Sequence, residues 1–486
     1  MYRKQGTGEK MEKKKKGKRI AIICLVTAAA AFLGFIGFHE YMDYTRIGCK
    51  TRIYGQDISW KTVDEAVQIV ENRFAQRRIS YTENGTEVYS LSMAEAGCTL
   101  NEEVLRQKLN AIKDRKKFCT VFAEKIYDYV MNYQLDEQEG QMTAALTEDH
   151  FGDSTRRQTS QDAYIRYDNE TRQYVIVDAV LGTHIDSAAM EEKTREAIAA
   201  AVQENPLGGQ IDIIIDESFY QKAAVQGDQA ELTQQLTGLN EKLSKYRQAA
   251  ITYTFGQTTE VLDQTVIEGW LKIGDTSVEL DTEAVKSYVS DLGTKYNTIY
   301  NPRSFHTSLG ADITIENNEY GYWIDNDGEY QQLLQNIENG DVVSRDPVYS
   351  HEGFNRNGRD DLMGNYVEVD LNTQQLWLYR DGQLITNTGI VSGLPTPERE
   401  TYRGAYFIAY KESPANLTSE ENGYNVQVQY WMPFVYGQGL HDATWQSSFG
   451  GDRYKTNGSH GCVNLPKDQA ALIFEYVDAG FPIILY

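Results

Sequence analysis

The stretch SHGCVN (residues 459–464) lies near the C-terminal end of the chain and follows GLHD (residues 439–442). A cysteine attacks an acyl carbon as its thiolate, and a nearby imidazole can take the thiol proton and later return it to a leaving amine. Cys462 and either His441 or His460 supply these two groups in a chain with seven histidines. Gly461 lets the backbone approach a substrate closely, and the N–H groups around Gly461 and Cys462 can face a developing oxyanion. The stretch therefore predicts a cysteine acyl-transfer site.

Two other interpretations of these residues stay open at this point. Histidine and cysteine close together in sequence are also typical of zinc sites, and buried cysteines that only pack against their neighbours are common. The spacing favours catalysis over zinc binding and over simple packing without excluding either. The residues that would supply zinc ligands are His441, Asp442, His460 and Cys462.

The spacing H-x17-SHGCVN resembles the signature of the L,D-transpeptidase (YkuD) catalytic domain, in which a histidine precedes an (S/T)-H-G-C-x-N block. The likeness continues through three further segments, Tyr366–Tyr379, Val391–Gly393 and Met432–Phe434, and covers about residues 364–486. A turn that often reads T-P-x-G in the family reads TYRG here (residues 401–404). We therefore expect a mainly β catalytic domain at residues 365–486.

The resemblance implies a role for each residue of the motif. Cys462 matches the nucleophile, and His441 matches the general base, which in the family is oriented through a backbone carbonyl that falls here at Asp442. His460, Gly461 and Cys462 match positions that form the oxyanion hole and shape the pocket. The residues that match loop-shaping and substrate-binding positions are Ser459, Asn464 and, in a substrate lid, Tyr424.

The same resemblance implies that the protein cross-links peptidoglycan stem peptides through a thioester on Cys462. It also implies acylation of this cysteine by carbapenem-type β-lactams, and neither a metal nor another cofactor. Transfer to water instead of an amine would make the protein an L,D-carboxypeptidase with the same site. The alternatives from other classes are a zinc-dependent cell-wall hydrolase and a wall-binding scaffold whose catalytic domain is vestigial.

Charge and hydropathy separate the N-terminal end from the rest of the chain. Residues 1–19 carry nine Lys or Arg against two Glu, although the whole chain has a formal net charge of −23. The remaining surface is therefore strongly acidic, and we predict no nucleic-acid partner. Residues 20–38 (IAIICLVTAAAAFLGFIGF) contain no charge and are long enough to cross a bilayer as a helix. The basic block should stay in the cytoplasm, which leaves the C-terminal part outside, in the cell wall.

A cleaved signal peptide has the same polarity as such an anchor. Its apolar region is usually shorter, however, and it ends at a small-residue cleavage site. Because HEYMDYTRIG (residues 39–48) shows no convincing site of this kind, we expect an uncleaved single-pass anchor at residues 20–38 after a cytoplasmic tail at residues 1–19.

Strand–turn–helix patterns recur between the apolar run and the catalytic domain. They resemble the peptidoglycan-binding repeats that precede such domains in Gram-positive cell-wall enzymes, whose opening looks like YGQDI (residues 54–58). We predict two α+β modules, at residues 50–160 and 161–343, and a charged linker at residues 344–364. Modules that only hold the active site in the wall are the alternative. The predicted fold class is multi-domain: a transmembrane helix, α+β repeat modules and a mainly β catalytic domain.

Four cysteines lie outside the motif. Cys24 is in the apolar run, and Cys49, Cys98 and Cys119 are scattered through the first module. Such a sparse set is not typical of a disulfide scaffold. A single bridge among the last three is compatible with the sequence, which does not choose a pair.

Overall fold

The computed structural model describes residues 8–115, 126–419 and 423–486. They form two compact units. The first takes in the described residues of Met1–Tyr164 together with Val177–Gln229, and the second takes in Ile165–Ile176 and Ala230–Tyr486. The predicted fold class is confirmed, since an apolar N-terminal helix precedes α+β modules and a β-rich C-terminal domain.

Helix α1 (Gly8–Thr45) contains the predicted apolar run in a single continuous helix. Its segment Met11–Met42 is long and apolar enough to cross a membrane, and a signal sequence has the same length and composition. Its large side chains, such as Leu25 and Phe38, are exposed. Exposed apolar side chains all along one helix are typical of a segment that meets lipid rather than a protein core.

The elements that follow α1, up to residue 229, are mostly short strands and helices. In chain order they are β1 (Thr51–Ile53), β2 (Gln56–Asp57), α2 (Val63–Ala75), β3 (Arg78–Glu83), β4 (Thr86–Ser92), β5 (Cys98–Leu100), α3 (Glu102–Lys113), β6 (Tyr127–Tyr129), β7 (Leu135–Glu137), α4 (Gln141–Ala145), β8 (Tyr164–Asp168), β9 (Gln173–Val177), α5 (Ser187–Glu204) and β10 (Ile211–Ile215).

The first unit is completed by a segment that the sequence analysis assigned to the second module. Strand β3 pairs antiparallel with β4 and parallel with β10, which places Ile211 opposite Ile79 and Ile213 opposite Tyr81. These side chains lie in one hydrophobic core, to which α5 also contributes. The predicted boundary at residue 160 therefore differs from the observed units, because a parallel partner strand can lie far away in sequence.

The second unit begins with a module of similar design. Its elements are α6 (Ala230–Gln248), β11 (Ala250–Phe255), β12 (Thr258–Leu262), α7 (Gln264–Gly269), β13 (Leu271–Ile273), β14 (Val278–Leu280), α8 (Thr282–Tyr296), β15 (Arg303–His306), β16 (Asp312–Ile315), β17 (Trp323–Ile324), α9 (Asn326–Asn339), β18 (Val342–Arg345) and β19 (Tyr349–His351). The sheet order β18-β11-β12 repeats β10-β3-β4: an antiparallel hairpin, preceded by a helix, takes a later strand in parallel. The two sheets support the predicted internal repeat.

The predicted linker at residues 344–364 carries strand residues instead. Ser344 and Arg345 end β18, and β19 pairs with β17. Two of its charged residues have clear partners: Arg345 forms a bidentate ion pair with buried Glu329, and buried Arg356 lies 4.4 Å from the ring centroid of Tyr322. A charged composition usually indicates exposed chain, but paired or stacked charges can be buried, which explains the difference.

The C-terminal domain consists of two sheets, a hairpin and a packing helix. Its elements are β20 (Tyr366–Asp370), β21 (Gln375–Arg380), β22 (Gln383–Gly389), β23 (Gly404–Phe407), β24 (Ala415–Ser419), β25 (Tyr424–Val428), β26 (Trp431–Val435), β27 (Gln438–Asp442), α10 (Tyr454–Asn457), β28 (Val463–Leu465), α11 (Lys467–Tyr476) and β29 (Pro482–Leu485). The five-stranded sheet has the order β22-β21-β20-β29-β23, and the three-stranded sheet has the order β26-β27-β28. One hydrophobic core joins the two sheets and α11.

The module that begins the second unit contacts the edge of the five-stranded sheet. The N–H of Ala405 in β23 donates to the carbonyl of Asn317 at 2.9 Å, and the N–H of Glu319 donates to the carbonyl of Ala405 at 2.8 Å. Ser308 contacts the same sheet, where its N–H and hydroxyl donate to the buried carboxylate of Glu368. The edge strand is therefore covered by backbone from the preceding module, which leaves fewer unpaired backbone groups.

Candidate active site

The two faces of the three-stranded sheet have different surroundings. Strand β27 pairs with β28 so that Leu440 lies opposite Val463 and His441 lies opposite Asn464. Because side chains alternate between the faces of a sheet, Leu440 and Val463 enter the core while His441 and Asn464 share the other face. Cys462 is two residues before Asn464 and faces the same way. The strand pairing thus brings the predicted nucleophile and the predicted base to one face.

The tautomer of His441 follows from its hydrogen bond. Its Nδ1 lies 2.9 Å from the carbonyl oxygen of Asp442, and because a carbonyl only accepts, Nδ1 carries the proton. Nε2 is then the basic nitrogen. The ring is buried, with the rings of Trp431 and Trp445 centred 5.9 and 5.8 Å away. This burial lowers the pKa of His441, which therefore stays neutral in the resting site.

Burial has the opposite effect on the thiol of Cys462. It raises the pKa of Cys462 to about 11, and a backbone hydrogen bond from Gly439 partly offsets that increase. The Sγ atom lies 3.9 Å from the carbonyl oxygen of Gly437. A neutral thiol beside a neutral imidazole is therefore the resting state, and the thiolate forms only when the proton moves.

The loop before Cys462 is held by its own side chains. The N–H of Gly461 donates to Ser459 Oγ at 3.0 Å, and this hydroxyl donates to the carbonyl of Cys462 at 2.5 Å. Gly461 has φ +118°, which side chains rarely adopt, and a Cβ there would lie 2.2 Å from Gln438 Nε2. The position therefore requires glycine, and the Gly461 N–H points to Ser459 rather than to open space.

A cleft of about 300 Å³ opens over this face. The hairpin of β24 and β25 covers it through Leu417 and Val426. Tyr424 begins β25, but its side chain lies outside the described residues. The buried Oδ1 of Asn464 has no hydrogen-bond partner in the described part of the chain. The residues that line the cleft are Leu417, Val426, His441, Trp445, Gln446, Asn457, Gly458, Ser459, His460, Cys462 and Asn464.

His460 lines the wall of this cleft. Burial and the positive charge of Arg399 lower its pKa. The Nδ1 of His441 is fixed by the carbonyl of Asp442, which leaves Nε2 as the basic nitrogen of a ring that lines the cleft. This arrangement suits His441 to the role of base.

The four residues considered as zinc ligands are not arranged around one common metal position. Asp442 alternates with His441 along β27, and its carboxylate accepts the N–H groups of Gln429 and Tyr430 at 2.7 and 2.8 Å. Within residues 8–115, 126–419 and 423–486, no group of three or more His, Cys, Asp or Glu side chains is arranged to hold a metal ion. The donor geometry therefore favours the thiol–imidazole interpretation.

Sequence reasoning missed two residues that support the catalytic loop. Thr401 Oγ1 donates to the carbonyl of Gly461 at 2.8 Å and accepts the N–H of Gly393 at 2.9 Å. Gln438 bridges the segment at residues 400–402 through the carbonyl of Glu400 and the N–H of Tyr402. The one sequence signal was the altered family turn that begins at Thr401.

Two of the three cysteines considered for a bridge lie among the described residues. Cys49 and Cys98 are both buried and form no disulfide with each other, and burial raises the pKa of Cys98 to about 11. Cys119, the third cysteine considered for a bridge, lies outside the described residues.

Comparison with known proteins finds two matching families. Residues 364–485 match the L,D-transpeptidase catalytic domain (YkuD), and residues 231–343 match the family described as "Putative peptidoglycan binding domain". No curated protein matches the chain.

Two solved structures from Enterococcus faecium are similar to the chain. One is a cysteine-to-serine mutant of an L,D-transpeptidase, with 35% identity over 51% of this chain and 100% of that chain, at a TM-score of 0.44. The other is an L,D-transpeptidase catalytic domain acylated by ertapenem, with 41% identity over 25% of this chain and 97% of that chain, at a TM-score of 0.24. With its catalytic domain at residues 364–485, the chain belongs to the L,D-transpeptidase (YkuD) enzymes.

Proposed function

We propose that this L,D-transpeptidase cross-links peptidoglycan stem peptides through a thioester on Cys462, with His441 as general base. The observation that carries the proposal is the pairing of β27 with β28, which presents both side chains to one cleft. The cleft is apolar on its hairpin side and polar along the loop of Ser459 and His460. Such a mixture suits a peptide, whose backbone needs hydrogen bonds and whose side chains need apolar contacts.

In the first step the thiol attacks the carbonyl that joins the third stem residue to the terminal D-amino acid. The Sγ–C bond forms, the thiol proton moves to Nε2 of His441, and the carbonyl electron pair moves onto oxygen. Because the Nδ1–H of His441 donates to the carbonyl of Asp442, the imidazolium keeps its orientation after it takes the proton.

Collapse of the oxyanion breaks the C–N bond to the D-amino acid. His441 gives its proton to the departing amine, which leaves neutral, and a thioester remains on Cys462. In the second step an amine of a neighbouring stem attacks the thioester. His441 takes a proton from that amine, the C–S bond breaks, and the thiol is restored.

Water could replace the amine in the second step, and the enzyme would then be an L,D-carboxypeptidase. Both outcomes use the same residues and differ in the access of the acceptor.

The proposal also assigns roles outside the catalytic domain. Helix α1 would anchor the chain in the membrane as a single-pass protein, with its basic end in the cytoplasm and the catalytic domain in the cell wall. The module that matches the peptidoglycan-binding family, residues 231–343, would hold glycan or stem peptide near the cleft. Carbapenem-type β-lactams would acylate Cys462 by the same first step.

The experiment is an intact-mass measurement of the full chain after incubation with a carbapenem. We expect one adduct on the wild type and none on Cys462→Ala, while Cys24→Ala serves as the matched cysteine control and keeps the adduct. His441→Gln should form the adduct at least about 100-fold more slowly, as for the loss of a general base. An adduct that survives Cys462→Ala, or one abolished by a metal chelator, would contradict the proposal.

A second measurement separates transpeptidation from hydrolysis. Purified stem tetrapeptide alone should give tripeptide slowly, whereas added acceptor stem should divert the product to a cross-linked dimer that mass spectrometry resolves. Tripeptide as the sole product at all acceptor concentrations would identify a carboxypeptidase instead.

A further inference from the structure

The side chain of Thr401 lies behind the catalytic loop and does not line the cleft. It is buried, with 6% of its surface exposed, and its hydroxyl makes two hydrogen bonds to backbone. Oγ1 donates to the carbonyl of Gly461 at 2.8 Å and accepts the N–H of Gly393 at 2.9 Å. Because the Gly393 N–H can only donate, the hydroxyl proton is committed to the Gly461 carbonyl.

The bond to Gly461 determines the direction of the next N–H group. In a planar trans peptide, the carbonyl of one residue and the N–H of the following residue point in opposite directions. Thr401 draws the Gly461 carbonyl toward the protein interior, so the N–H of Cys462 points away from Thr401. This N–H has no acceptor among the residues that the structure describes.

The N–H of Gly461 is already used, because it donates to Ser459 Oγ at 3.0 Å. This leaves the Cys462 N–H as a donor next to the nucleophile. At φ +118° the backbone of Gly461 has no side chain to restrict rotation of its peptide. Gln438 blocks one side of Gly461, since its Nε2 lies where a Cβ would be, but it makes no hydrogen bond to the Gly461 carbonyl.

We propose that Thr401 is a positioning residue that orients the Gly461–Cys462 peptide so that the Cys462 N–H stabilises the oxyanion. This inference rests on the proposed function, because the oxyanion belongs to acylation of Cys462. Thr401 touches neither substrate nor thiol and acts through the peptide bond alone. Its hydroxyl therefore matters when charge develops on the substrate oxygen and is unimportant for the nucleophilicity of the thiol.

The test compares two reactions of Cys462 in the full chain. Acylation by a carbapenem passes through an oxyanion, whereas alkylation by iodoacetamide displaces iodide at a saturated carbon and forms none. We expect Thr401→Val, which keeps the shape but loses the hydroxyl, to slow acylation by about 10- to 100-fold, less than the loss of a whole oxyanion donor. Its alkylation rate should stay within about threefold of the wild type.

Thr401→Ser is the matched control, since it keeps the hydroxyl and should acylate within about threefold of the wild type. Equal acylation rates for Thr401→Val and the wild type would overturn the inference. A parallel loss of alkylation and acylation would overturn it too, because it would indicate general damage to the site. Absence of any carbapenem adduct on the wild type would instead contradict the proposed function, so the two failures are distinguishable.

Discussion

At the scale of single residues, the proposed chemistry depends on the protonation of Cys462 and His441. Burial lowers the pKa of His441 and raises the pKa of Cys462 to about 11, so both shifts favour the uncharged pair at neutral pH. A preformed thiolate–imidazolium pair would need shifts of the opposite sign. The pair therefore depends on proton transfer during the attack, which the Nδ1 hydrogen bond of His441 prepares.

The alkylation of Cys462 by iodoacetamide tests this protonation state. Only the thiolate reacts, so with a raised pKa we expect the rate to increase about tenfold per pH unit from pH 7 to pH 10. A free cysteine derivative, measured in parallel, should level off near its own pKa of about 8.5. Peptide mapping assigns the label to Cys462. A plateau of the Cys462 rate below pH 8 would contradict the neutral pair.

A second prediction at this scale concerns Gly461. Gly461→Ala should lose both stability and carbapenem acylation, because the new Cβ meets Gln438 Nε2 at 2.2 Å and φ is +118°. Gly382→Ala is the matched control: its φ is +75° with nothing within 4 Å, so it bears only the conformational cost, about 1–2 kcal/mol. Thermal unfolding measures the stability of the two variants, and the rate of carbapenem acylation measures their activity. Equal effects of the two variants would show that the contact with Gln438 is unimportant.

At the scale of secondary-structure elements, the five-stranded sheet depends on residues outside the matched catalytic domain. Ser308 donates its N–H and its hydroxyl to the carboxylate of Glu368 in β20 at 2.8 and 2.6 Å, and Tyr486 donates at 2.6 Å. Glu368 is fully buried. These donors offset the cost of burying a carboxylate, and they attach the β15–β16 loop to the sheet.

Ser308→Ala should therefore destabilise the second unit. It removes one of the donors to a buried charge, which costs about 1–3 kcal/mol of unfolding free energy. Ser350→Ala is a suitable control, because Ser350 bonds only the Trp323 carbonyl, at 3.3 Å, and His351 in an exposed position. Denaturant unfolding measures the free energy of unfolding of the two variants. A Ser308→Ala variant as stable as the control would show that Glu368 is satisfied without this hydroxyl.

At the scale of the whole molecule, the anchor and the modules would determine where the active site works. The chain is acidic apart from its basic N-terminal end, and α1 follows that basic block directly. Acidic domains are repelled by anionic lipid heads, so a membrane-anchored chain of this kind would project its catalytic domain into the wall.

Fractionation of cells that produce the full chain tests the anchor. We expect the protein to stay in the membrane pellet after an alkaline carbonate wash. Its intact mass should show that residues 1–45 are still present. A variant with Leu25 and Leu33 both changed to Arg should leave the pellet, because charges at the bilayer centre are costly. A wild-type protein that lacks its first 40 or so residues and occurs in the soluble fraction would indicate a cleaved signal instead.

Most of the proposed site could be inferred from short stretches of sequence. The proposed nucleophile, the proposed base and the required glycine lie in two segments whose residue types and spacing carry the signal, and the apolar run of α1 is equally local. The capping box formed by Thr62 and Glu65 is a further example of a local signal, because both partners lie within one turn. Such features depend on neighbours in sequence, and so a single sequence reveals them.

Three tertiary features were not predictable in this way. They are the parallel pairing of β3 with β10, the contacts of half-buried Arg345 and buried Arg356, and the hydroxyl of Thr401 behind Gly461. Each joins residues that are distant in the chain, and each forms only because packing of an entire core makes that arrangement lower in free energy than its alternatives. The local sequence pattern predicted the reacting groups. The packed fold, in contrast, determines the orientation of the Gly461–Cys462 peptide and the protonation of the Cys462 thiol.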